Sequence, residues 1–76
     1  MVILFMKIYK VFYKIGETTR EIGKGRNLRK AEYVIYKFLK EKHYSSPYWR
    51  HWCDDRGHWY DVGSWSEFFN IKEEVI

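Results

Sequence analysis

Over residues 2–15 the chain is rich in β-branched and aromatic residues, which predicts a strand. Val2, Leu4, Met6 and Ile8 fall on one face, and Tyr9, Val11, Tyr13 and Ile15 on the other. The apolar face therefore changes partway, which predicts either a bulge or a strand covered on both sides. Gly16-Glu17 reads as a tight hairpin turn with Gly at its first central position. Thr18 to Ile22 returns as a short strand whose low apolar content places it at an edge. Gly23 and Gly25, flanking Lys24, are read as ending it.

The period then changes. Asn27 is a good helix N-cap, and Leu28, Ala31, Val34, Ile35, Phe38 and Leu39 fall in one stripe at 3.6-residue spacing. Lys40 and Lys42 suit the negative end of the helix dipole, and the helix is expected to end near His43. Ser45, Ser46 and Pro47 make a loop.

Tyr48 to Cys53 and His58 to Val62 read as two strands joined at the turn Asp54-Asp55-Arg56-Gly57. With Asp55 to Gly57 as the loop, Trp52 faces Tyr60 and Cys53 faces Trp59. Gly63-Ser64 breaks or bends this strand. Trp65 to Ile71 continues as another strand or an irregular segment, or Ser64 and Glu67 form a capping box that starts a helical turn. The charged end Lys72-Glu73-Glu74 is expected to fray. The expected fold is a single α+β domain over residues 1–76: a two-layer ββαββ arrangement with one helix packed on an antiparallel sheet.

Composition changes this picture in three ways. Seventy-six residues bury only a small core, yet 21% of them are aromatic. Some aromatic rings must then reach the surface, where they serve as contact sites or cap the core edges. A formal charge of +4 favours anionic partners, nucleic acid or an acidic protein surface. The single cysteine, Cys53, excludes an intrachain disulfide; that fits a reducing cytoplasm and leaves a secreted protein open. The apolar start is too short to span a membrane and lacks both a basic leader and a small-residue cleavage site.

Four constellations carry candidate chemistry. Arg29, Lys30, Tyr33, Tyr36, Lys37 and Lys40 cluster on the helix face opposite the apolar stripe. Such a face can neutralise phosphates and stack bases, or simply be solvated. His51, Cys53, Asp54, Asp55, His58 and Asp61 are all metal-capable, and Cys53 and His58 can approach across the hairpin. A structural zinc site usually takes four ligands and more than one Cys, so no metal and no cofactor are expected. Cys53 with a nearby His has no identifiable orienting third group, so no enzyme activity and no catalytic residue are expected either. Trp59, Trp65, Phe68 and Phe69, with Glu67, form a set suited to a protein contact, unless Phe68, or both Phe, complete the core.

Three resemblances follow. Lys7-Ile8-Tyr9 and Tyr13-Lys14-Ile15-Gly16 resemble the paired GIY and YIG strands of a nuclease family, with a shorter gap and Lys7 where the first Gly stands. Trp65-Ser66-Glu67-Phe68-Phe69 resembles peptides that dock on DNA sliding clamps, without their leading Gln. In general character the chain, with WYDVGSWSEFF as its most typical stretch, is similar to small early proteins of lytic phages that disable a host protein. That last resemblance implies a protein-binding inhibitor in the cytoplasm of an infected bacterium, with the replication clamp as its most specific target. The alternative is a nucleic-acid-binding module using the basic helix face, and a third reading is a homodimer formed through exposed aromatics. No membrane partner is expected.

Overall fold

The computed structural model describes residues 6–41, 50–63 and 66–75. Five strands and one helix are arranged in the order β1 (Lys7–Ile15), β2 (Thr18–Gly25), α1 (Leu28–Glu41), β3 (Arg50–Asp54), β4 (Gly57–Asp61) and β5 (Glu67–Val75). The strands form one sheet in the order β2-β1-β5-β4-β3, with every neighbour antiparallel. The α+β class and the helix-on-sheet layering are as expected. The ββαββ order is not: a fifth strand follows the second hairpin and enters the middle of the sheet. No described helix is long and apolar enough to cross a membrane.

The first hairpin turns at Gly16-Glu17, with Gly16 at φ 58°. The bulge foreshadowed by the pattern is at Ile22: Val11 pairs Gly23 while Phe12 pairs Glu21. β2 is an edge strand, as expected, but continues through Gly23 and Gly25. Those glycines do not end it; they let the helix come close. A Cβ on Gly23 would stand 2.7 Å from Val34 Cγ1, and one on Gly25 2.6 Å from the Ala31 amide nitrogen. The two halves of the nuclease-like motif lie along the single strand β1, not on two paired strands.

The helix follows its sequence signals closely. The Asn27 side-chain oxygen accepts a hydrogen bond from the Lys30 amide at 2.9 Å, satisfying an otherwise unpaired first-turn donor. Ala31, Ile35 and Leu39 are buried, and Leu28, Val34 and Phe38 pack beside them. Asn27→Ala is expected to cost about 1 kcal/mol by loss of the cap, read as a lower urea midpoint with an unchanged slope.

The helix lies over β2, β1 and β5. Under it, Val11, Tyr13, Phe69 and Ile71 join Tyr60 and Val62 in one core. Tyr13, Phe38 and Phe69 pack ring against ring, with centroids 4.8–5.6 Å apart. The Tyr60 hydroxyl donates to Glu32 at 2.7 Å; burial first, then that carboxylate, push the phenol pKa upward. Tyr13 likewise donates to Glu67.

Two further expectations are corrected. Residues 72–74 do not fray: they extend β5 alongside β1, where Glu73 pairs Lys7 at 2.7 Å and Glu74 pairs Lys10 at 2.9 Å. The second hairpin has a two-residue loop, Asp55-Arg56, so Trp52 faces Trp59 and Cys53 faces His58. Asp54 fixes this tighter turn by accepting from the Arg56 amide at 2.8 Å and from Trp59 Nε1 at 2.9 Å. A one-residue slip changes which side chains share a face, and this one decides what stands together on both sides of the sheet.

Candidate functional site

The helix covers one face of the sheet; among the described residues no element covers the other. Strand alternation places on that open face Lys10, Phe12 and Lys14 of β1, Phe68, Asn70 and Lys72 of β5, Trp59 and Asp61 of β4, and Arg50 and Trp52 of β3.

The register lines these up in rows across the strands. Phe12 stands opposite Asn70, Asn70 opposite Trp59, and Trp59 opposite Trp52. One aromatic row thus crosses four strands, interrupted only by Asn70. Asn70 is buried and donates its amide to the His58 carbonyl at 2.9 Å, fixing β5 to β4 at the centre of the row. A second row runs beside the first: Lys24 stands opposite Lys10, and Lys10 opposite Lys72. Like charges directly across a ladder disfavour folding. Glu74 neutralises Lys10, and its hydrogen bond is the main reason the Lys10 pKa lies above its ordinary value. Lys24 and Lys72 are exposed.

Cations and rings are interleaved. Lys72 Nζ lies 5.2 Å from the Phe12 ring centre, Lys14 Nζ 5.8 Å from that of Trp59, and the Arg50 guanidinium 5.4 Å from that of Trp52. Lys14, Thr19, Arg56, Trp59, Asn70 and Lys72 line one shallow depression, which brings three cations together with no carboxylate in its lining. Arg50, at the far end, is paired with Asp61 at 3.3 Å.

The expected contact residues separate. Trp59 and Phe68 are half-buried on the open face. Both other described members of the set are on the helix side: Phe69 has no exposed surface, and Glu67, half-buried, accepts a hydrogen bond from Tyr13. The cause is placement: β5 pairs on both edges, so its alternate residues must fill the core. Glu67 begins this strand rather than a helical turn, while Ser64 and Trp65 lie outside the described residues. The helix-face set is exposed throughout, as expected; Tyr33 and Tyr36 are 62% and 51% accessible and stack with centroids 6.5 Å apart.

The metal-capable set also divides. His51, Cys53 and His58 converge on the helix side of the sheet, beyond the part the helix covers. Asp54 and Asp61 point to the open face, where they hold Trp59 and Arg50. Sequence reasoning missed Phe12, Lys14, Arg56 and Lys72 as site residues. Their signal was present: Lys10, Phe12 and Lys14 alternate at the strand period, giving one face a cation–aromatic–cation pattern. Comparison of the chain with family models, with curated proteins and with solved structures gives no match.

Proposed function

We propose that this protein binds single-stranded nucleic acid across the open face of its sheet. The observation that carries the reading is the pair of adjacent rows: the lysines Lys24, Lys10 and Lys72 beside the rings Phe12, Trp59 and Trp52. Glu74 already neutralises Lys10, but the exposed Lys24 and Lys72 on either side of it add like charge with no folding advantage, which favours an anionic ligand. Aromatic faces next to it supply the other half of the recognition, because unpaired bases stack on rings while lysines neutralise the phosphates. A duplex keeps its bases stacked internally and would leave the rings unused. The chemistry is binding without sequence-specific readout, with Lys14 and Arg56 adding charge at the central depression.

The test is fluorescence anisotropy of a labelled single-stranded oligonucleotide over a range of salt. If Lys14, Lys24, Arg56 and Lys72 each neutralise one phosphate, the logarithm of the binding constant should fall against that of salt with a slope of about −3. Lys72→Ala should reduce the steepness by about 0.7. A salt-independent constant, or no binding at low salt, would remove this function.

A protein partner at the same face is the second reading, favoured by one observation. Trp59 and Phe68, expected as protein contacts, stay partly accessible beside the lysines, where an acidic protein surface would fit. The clamp-docking form of that reading needs Phe68 and Phe69 together in a partner's pocket, and Phe69 can leave the core only if β5 unpairs. Absence of oligonucleotide binding at low salt would leave the protein reading in place.

A further inference from the structure

On the helix side of the sheet, β3 carries His51 and Cys53 two residues apart, so both side chains point the same way. The two-residue turn sets Cys53 opposite His58, which adds a third ligand type to the same patch. Three lone-pair atoms converge there. His51 Nε2 lies 2.9 Å from His58 Nδ1, Cys53 Sγ lies 3.1 Å from His58 Nδ1, and Cys53 Sγ lies 3.8 Å from His51 Nε2. The helix does not reach over β3, and both His51 and Cys53 are exposed, so an ion can enter from solvent.

The separations match what a small tetrahedral ion requires. Bond lengths of about 2.0–2.1 Å to nitrogen and 2.3 Å to sulfur place tetrahedral ligands about 3.3 Å apart for two nitrogens and about 3.6 Å for nitrogen and sulfur. The two sulfur–nitrogen distances, 3.8 and 3.1 Å, bracket the value for that pair, the nitrogen–nitrogen distance of 2.9 Å is shorter than its value, and side-chain shifts of a few tenths of an ångström reach both. The His51 ring is already held in place: it stacks on Tyr60 at 4.6 Å with the planes 4° apart, and Tyr60 is anchored to Glu32 of the helix. His51 and His58 also stack, at 5.1 Å. A hydrogen-bonded trio explains the contacts among the three groups, but not why two imidazoles and a thiol sit together on an exposed edge hairpin.

We infer that His51, Cys53 and His58 form a three-ligand site for a divalent transition metal of borderline softness, zinc foremost, with the fourth position open to water. One thiolate and two imidazoles suit that class and disfavour calcium and magnesium, which take oxygen ligands. The site is on the opposite face from the aromatic row and does not depend on nucleic-acid binding. Since among the described residues β3 is paired only to β4, a bound ion would also tie this edge strand to the sheet.

The test is titration of the 76-residue chain, first stripped with a chelator, with Co²⁺ and then with Zn²⁺. The expected result is one equivalent of Co²⁺ bound with the visible bands of a tetrahedral site and a near-ultraviolet thiolate-to-cobalt band. Zn²⁺ should displace it and raise the thermal midpoint. Cys53→Ser, at an exposed position, should fold normally and lose the thiolate band. His51→Ala and His58→Ala should each weaken binding by ~10-fold or more, the scale on which metal sites respond even to changes around the ligands. Absence of tetrahedral bands in the parent chain would overturn the site, as would a spectrum unchanged in Cys53→Ser.

Discussion

Phe69→Ala is expected to remove most of the domain's folding stability. Phe69 is fully buried at the centre of β5, the strand that pairs both β1 and β4. Its ring packs against Tyr13 and Phe38, so its loss opens a cavity between the helix and the sheet. Truncating a core phenylalanine costs about 3–5 kcal/mol. A domain of this size has a total stability on the order of 5 kcal/mol, so little remains. Phe68→Ala, one residue earlier and on the other face, should keep the fold and lower the urea midpoint only modestly. Circular dichroism and urea unfolding of the two variants read this contrast directly. Similar behaviour of both would mean that β5 does not alternate between core and open face as described.

Gly57→Ala is the second substitution expected to damage the fold. Gly57 opens β4 with φ 112°, in the region that side chains rarely adopt. Strain of this kind costs about 1–3 kcal/mol. A Cβ there would also stand 2.3 Å from the Ile71 carbonyl oxygen, and that oxygen belongs to the backbone of the central strand. Relief requires β4 to move away from β5, which disturbs the Asn70 hydrogen bond to His58 and the aromatic row with it. The thermal midpoint should fall by well over 5 °C, given about 4–8 °C per kcal/mol in so small a domain. Gly16→Ala has a contrasting outcome. Gly16 has positive φ but nothing near its missing Cβ, so only the strain applies and the loss should be smaller.

The helix was the most legible part of the chain. Its cap at Asn27, its apolar stripe and its solvent face follow from local spacing alone, and the packing agrees at every named position. The first hairpin was legible for the same reason, since Gly16 declares its turn. Long-range pairing was not. Nothing local in EFFNIKEEV says that it inserts between β1 and β4, and its charged end looks like a solvated tail until Lys7 and Lys10 are known to stand beside it. Gly23 and Gly25 likewise look like strand breakers until the helix backbone is placed above them.

The same limit applies to the candidate sites. Side chains of one strand can be assigned to a face from the sequence, but their neighbours across the ladder require the register. Reading the second hairpin with a three-residue loop pairs Cys53 with Trp59, and both the metal cluster and the Trp59–Trp52 pair then dissolve. The structure's two-residue loop, held by Asp54, restores both at once. The row of lysines is invisible along the chain for a related reason: Lys10, Lys24 and Lys72 come from three strands that only strand order brings together. The exposed helix face, by contrast, was fully legible, and it offers the alternative surface for the same ligand.

Affinity for a single-stranded oligonucleotide in two variants, Trp59→Ala and Tyr33→Ala, compared with the parent chain at one low salt concentration, tests the open-face assignment most directly. Trp59 lies in the aromatic row, and Tyr33 is on the helix surface opposite the core. Stacking of one base on one ring is worth about 1–3 kcal/mol. Trp59→Ala should therefore weaken binding by roughly 5- to 150-fold, while Tyr33→Ala leaves it unchanged. Loss of binding in Tyr33→Ala with Trp59→Ala unaffected would contradict the open-face site and assign the ligand to the helix.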